Sequence, residues 1–143
     1  SSDFVPFAAY GRTGLEAFAM TAHVVYSAID PKRPATTSPK VINDVIRNEL
    51  GFRGLLMSDD LCMKALTGPF NERAQAALSA GCDCVLHCDG NLADMQAVAA
   101  GCGQLGANGL NALERVAGFR GKPRTAIPYA TTVAAIDRAL AHG

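Results

Sequence analysis

Neither sign of charge prevails in this 143-residue sequence: 13 basic and 13 acidic residues cancel, and only 18% of residues are charged. No basic stripe is present, so neither nucleic acid nor a membrane surface is expected as a partner. No apolar run approaches the ~20 residues that cross a bilayer. The amino terminus, Ser1-Ser2-Asp3-Phe4, has neither the basic nor the apolar stretch of a secretory signal. An initiator methionine is also missing, and the expectation is a chain cut from something longer. Low-complexity tracts and domain linkers are absent too, which leaves one domain over residues 1–143, 49% hydrophobic and able to form a core. The five cysteines, Cys62, Cys82, Cys84, Cys88 and Cys102, are an odd number outside a small-scaffold composition. That argues against a disulfide framework and for a reducing, cytoplasmic setting.

Alternation of short apolar runs with helical patterns runs through what is there. Residues 1–15 carry Pro6, Gly11 and Gly14 and read as an extended entry. Residues 17–26 predict a first strand closing near Met20 and His23. A proline-containing loop over residues 27–37 follows, of a length more often functional than idle. Ser38 and Pro39 then suit a helix start, with Val41, Ile42, Val45, Ile46 and Leu50 at helical spacing and Gly51 as the stop. Residues 54–58 form a second strand, 61–66 a short turn of helix, 71–80 an alanine-rich helix and 83–87 a third strand. Residues 91–100 predict an amphipathic helix with Leu92, Met95 and Val98 on one face. Further helices over 108–117 and 132–141 flank a loop at 121–128. Strand–helix alternation of this kind predicts an α/β fold with a parallel sheet and right-handed crossovers.

The central stretch is Gly51-Phe-Arg-Gly-Leu-Leu-Met-Ser-Asp-Asp-Leu-Cys-Met63. A continuous apolar run ending in Ser58-Asp59-Asp60 reads as a buried parallel strand with two carboxylates at its carboxyl end, where α/β folds place their chemistry. Capping of the following turn competes with catalysis for this pair, and local chemistry leaves both open. Successive strand residues point oppositely, so the two carboxylates are expected to divide their roles. His23 and His87 also close strands, and a backbone-satisfied histidine is as good a reading of each as a ligand contact. Cys82, Cys84, Cys88 and His87 lack the spacing of a zinc site and read instead as small buried hydrophobes. No metal and no cofactor are expected.

Val45-Ile-Arg-Asn-Glu-Leu-Gly-Phe-Arg-Gly-Leu-Leu-Met-Ser-Asp59 resembles the signature of glycoside hydrolase family three. That signature has a small residue three positions after its Asp, where this chain carries Cys62. Met20-Thr-Ala-His-Val24, Ile29-Asp-Pro31, Pro34-Ala-Thr-Thr-Ser38, Ser58-Asp-Asp-Leu61 and Ala80-Gly-Cys-Asp83 are similar to the bacterial cytoplasmic β-N-acetylhexosaminidases of cell-wall recycling within that family. The resemblance implies a (β/α)₈ TIM barrel, of which this chain would hold about strands six to eight with their helices. It implies Asp59 as the nucleophile of a retaining mechanism, Met20 and His23 as substrate-binding residues bordering the sugar, and a structural role for Asp60. It also implies an N-acetylglucosamine-containing muropeptide or glycoside as substrate and the missing N-terminal half of the barrel as partner. The family's acid/base loop, Lys-His-Phe-Pro-Gly-His-Gly, matches nothing in this sequence, so this chain alone is expected to be inactive.

A phosphoacceptor receiver-like module is the alternative from another class, with a similar length, an Asp-Asp pair and Lys122-Pro123. The order opposes it: receivers carry the acidic pair on the first strand, and here it follows the second.

Overall fold

Short apolar segments rich in leucine, valine and methionine build a three-stranded parallel sheet. The computed structural model describes residues 2–11, 13 and 18–119, with isolated positions 133, 137, 138 and 141. Strands β1 (Phe18–Met20), β2 (Leu55–Asp60) and β3 (Cys84–Leu86) lie in the order β1-β2-β3, so β2 is central. Phe18, Ala19 and Met20 pair with Leu55, Leu56 and Met57. Met57 pairs with Cys84 and Asp60 with Leu86, with a break in register between them.

Helices pack around this sheet. They are α1 (Val5–Gly11), α2 (Lys40–Glu49), α3 (Phe70–Ala80), α4 (Leu92–Gly101) and α5 (Ala107–Phe119). The predicted helix after Ser38 is α2: the Ser38 hydroxyl accepts the Val41 N–H at 3.2 Å, and Val41, Ile42 and Val45 face inward. Its winding is wider than 3.6-residue spacing implies, with π-type bonds such as the Leu50 N–H to the Val45 carbonyl. Ile42, Phe52, Leu56, Ala77, Ala80 and Cys82 form one buried cluster, and Leu61, Leu66, Ala74 and Val98 form another. Val85 packs against both. Leu55 and Leu56, successive residues that point to opposite faces, are both buried, so the central strand is covered on each side, as a continuous apolar run requires.

Several expectations are corrected. The entry segment is not extended: a 3-10 turn, Ser2–Phe4, leads into α1. Pro6 is tolerated there because it lies in the first helical turn, where an N–H has no intrahelical partner anyway. Residues 61–66 form turns rather than a helix. Asp60 Oδ1 captures the Cys62 N–H, Leu86 accepts the Leu61 N–H, and Arg73 takes the Leu61 carbonyl, so the groups needed for a helical start are spent elsewhere. On α4, Val98 is buried, but Leu92 is 67% and Met95 48% exposed. Val98 packs beside Ala74 of α3, whereas Leu92 and Met95 point away from that cluster. A Cβ on Gly101 would lie 2.1 Å from the Asn71 carbonyl oxygen, so only glycine permits that approach. The cysteines also divide: Cys82 is buried, whereas Cys88 and Cys102 are exposed, and all five are free. The predicted helix at 132–141, the loop at 121–128 and Lys122-Pro123 lie outside the described residues, apart from the isolated positions named above.

Candidate active site

The carboxyl ends of the three strands converge on Ser58, Asp59 and Asp60. Strand β2 runs two residues further than the apolar pattern suggests and carries both carboxylates within its last residues. Ser58 is fully buried, and its hydroxyl accepts the Leu86 N–H at 3.0 Å. That bond falls where the β2–β3 register breaks, so the serine replaces a missing backbone acceptor. Arg47 and Asp83 secure the other end of β2. Their side chains, only 15% and 11% exposed, meet at 2.7 Å. Arg47 also donates to the Gly54 carbonyl, and Asp83 Oδ2 accepts the Leu56 N–H.

Asp59 and Asp60 differ as strand alternation requires. Asp60 Oδ1 accepts backbone N–H groups from Cys62 at 3.0 Å and Cys88 at 3.2 Å, tying β2 to the chain after β3. The Cys62 amide foremost holds this carboxyl below its usual range. Among the described residues, Asp59 accepts only the N–H of Asp60, at 2.8 Å, which leaves one of its oxygens uncommitted. A half-buried carboxylate on a rigid strand end, with a lone pair unused, can act as nucleophile or base.

His23 is brought beside this pair. Its Nε2 lies 2.9 Å from the Asp60 carbonyl oxygen and its Nδ1 2.7 Å from Thr36 Oγ1. A carbonyl can only accept, so Nε2 carries a hydrogen. In the neutral ring, Nδ1 then accepts from Thr36, and Thr36 accepts from Thr21 at 2.8 Å. Both nitrogens of His23 are thus engaged with protein atoms. Met20 ends β1 opposite Met57, two residues before Asp59, and is half exposed. Thr21, Thr36 and the Arg47–Asp83 pair carry no sequence signal of this role, because their partners lie 15 and 36 residues apart.

His87 does not gather with Cys82, Cys84 and Cys88. It meets Cys62 Sγ at 3.1 Å through Nδ1 and Asp89 Oδ1 at 2.8 Å through Nε2. Burial pushes the Cys62 thiol up, and the Asn91 amide chiefly holds Asp89 low. Cys82, sealed in the core, is pushed by burial to about 12. A cleft of about 690 Å³ lined by Cys82, Asp83, Cys84 and Cys102 opens near the amino end of β3. It lies at the opposite end of the strands from Asp59, away from where parallel sheets carry their chemistry.

The model of the glycosyl hydrolase family 3 N terminal domain matches residues 1–117. The beta-hexosaminidase of Nitrosomonas eutropha is 52% identical over 89 residues, 61% of this chain and 25% of that protein. That of Stenotrophomonas maltophilia is 47% identical over 96 residues, 66% of this chain and 28% of that protein. The chain thus spans about a quarter of the length of these curated relatives. Among solved structures, the beta-N-acetylhexosaminidase of Beutenbergia cavernae aligns with TM-score 0.57 and 38% identity, over 66% of this chain and 28% of that one. A glycoside hydrolase family 3 beta-N-acetylglucosaminidase from a Paenibacillus species aligns with TM-score 0.59 and 28% identity, over 79% of this chain and 24% of that one. With its signature strand, its paired carboxylates and a family match over most of its length, this chain belongs to glycosyl hydrolase family 3.

Proposed function

We propose that this sequence is one incomplete domain: about strands six to eight, with their helices, of the (β/α)₈ barrel of a retaining β-N-acetylglucosaminidase. The observation that carries this reading is Asp59 at the carboxyl end of a central parallel strand, with one oxygen uncommitted among the described residues. The name of the Paenibacillus relative, a beta-N-acetylglucosaminidase, supplies the substrate class, an N-acetylglucosamine-containing glycoside, and we extend this to muropeptides of the cell wall. The five free cysteines suit a reducing, cytoplasmic compartment. A receiver-like signalling module is not favoured, since the proteins that match this chain are named as hexosaminidases.

In this mechanism the Asp59 carboxylate attacks the anomeric carbon as the glycosidic bond breaks, forming a glycosyl-enzyme ester. Water then cleaves the ester with overall retention. The group that protonates the leaving oxygen and later activates water comes from residues outside this chain. Met20 would give the sugar an apolar contact. His23, its nitrogens engaged by Thr36 and Asp60, would border the sugar through its ring carbons while keeping the mouth of β2 in shape.

The test is Asp59→Asn in the complete enzyme that carries this sequence. Turnover of an aryl N-acetylglucosaminide is expected to fall roughly 10⁶-fold, the order seen when a hydrolase loses its covalent nucleophile, with the circular dichroism spectrum unchanged. Near-normal turnover by a folded Asp59→Asn enzyme would sink the assignment.

A further inference from the structure

Asp60, Cys62 and His87 bring three metal-binding side chains together beyond the ends of β2 and β3. A carboxylate oxygen, a sulfur and a ring nitrogen lie within 4.8 Å of one another. The imidazole is held firmly: its side chain is 6% exposed, and Phe70 meets it edge-on with ring centroids 5.0 Å apart. Asp89 fixes which ring nitrogen carries hydrogen. Its carboxylate accepts from Nε2 at 2.8 Å, so in the neutral ring Nδ1 presents a lone pair. That lone pair faces Cys62 Sγ at 3.1 Å. Two electron-rich atoms at this separation require a proton between them or a cation in its place. Asp60 completes the cluster with a carboxylate oriented by the N–H groups of Cys62 and Cys88 rather than left as a mobile surface acid.

The geometry points to a divalent-cation site in which Cys62 Sγ, His87 Nδ1 and the Asp60 carboxylate are the ligands and Asp89 is a positioning residue. Thiolate, imidazole and carboxylate together suit a borderline-soft ion of the Zn²⁺ class. An imidazole whose second nitrogen bonds a carboxylate is the arrangement that orients histidine on such ions. As the sulfur–metal bond forms, the thiol proton departs to solvent. The donors must settle about 2.0–2.3 Å from the ion, and Cys62 can adjust because it sits in a turn rather than in the sheet. Three protein ligands leave a further position for water. Neither Asp59 nor any sugar chemistry enters this inference, so it stands apart from the glycosidase reading.

Co²⁺ titration of the chain tests it, with Zn²⁺ as competitor. A single Co²⁺ per chain is expected, with a near-ultraviolet thiolate-to-cobalt charge-transfer band that Zn²⁺ removes. Cys62→Ser should abolish the band, and Asp89→Asn should weaken Zn²⁺ binding about 10–100-fold. Cys88→Ser and Cys102→Ser should leave both unchanged. Zn²⁺ should also slow alkylation of Cys62 in the unaltered chain while Cys102 reacts at its former rate, a comparison that needs no variant. Absence of the band, its survival in Cys62→Ser, its loss in Cys88→Ser or Cys102→Ser, or alkylation of Cys62 indifferent to Zn²⁺ would each overturn the site.

Discussion

Asp59 and Asp60 are chemically identical and adjacent, yet their surroundings differ. Two amides and a turn occupy Asp60, and its carbonyl takes His23, so this residue knots three strand ends together. Asp59 keeps an oxygen in reserve among the described residues. The residues that hold this arrangement in place are less conspicuous. Arg47, the basic residue of the signature, bridges α2, the entry to β2 and Asp83 on the approach to β3. Removing it strands a largely buried carboxylate that also carries the Leu56 N–H. Arg47→Ala is expected to cost about 3 kcal/mol, the order found when one partner of a buried ion pair is deleted. Urea unfolding of the complete enzyme that carries this sequence, followed by circular dichroism, measures this, and a loss below about 0.5 kcal/mol, typical of exposed pairs, would show that the bridge is ornamental.

Elements with strong periodicity were the most legible. Helices α2 and α3 follow from apolar spacing and glycine stops, and β2 from an unbroken apolar run. Residues 61–66 were misread because turn and helix share the same local signals, and the deciding partners, Leu86 and Arg73, lie 25 and 12 residues away. Gly81 shows how an element end is shaped by what packs on it. Its φ of +117° suits only glycine, and a Cβ there would lie 2.9 Å from Ile42 Cγ2 on α2. Gly81→Ala therefore meets both backbone strain and a core contact. In the complete enzyme that carries this sequence we expect a loss of about 2 kcal/mol and a melting point lower by roughly 5 °C. An unchanged melting point would mean that α2 yields freely.

For the molecule taken whole, the sheet has two outer strands, β1 and β3, without a further neighbour among the described residues. Phe18, Met20, Val24, Val25 and Tyr26 are exposed along the β1 side. Open edges and uncovered apolar surface favour pairing with other chains. The isolated 143-residue chain is expected to self-associate as its concentration rises and to show no turnover of an aryl N-acetylglucosaminide. Sedimentation velocity and the same assay check this. A monomer with a single cooperative unfolding transition, or measurable hydrolysis, would contradict it.

Amino-acid order alone was enough to predict the α/β class, the parallel strands and the strand end that bears Asp59, because periodicity and chain punctuation are local properties. The resemblance singled out Asp59 over Asp60. The partners were not legible: His23 with Thr36, Ser58 with Leu86, Arg47 with Asp83, and His87 with Cys62 rather than with the neighbouring cysteines. Each joins residues 13 to 36 positions apart. Such bonds depend on the register of one strand against the next, and register is set by packing rather than by any repeat written along the chain.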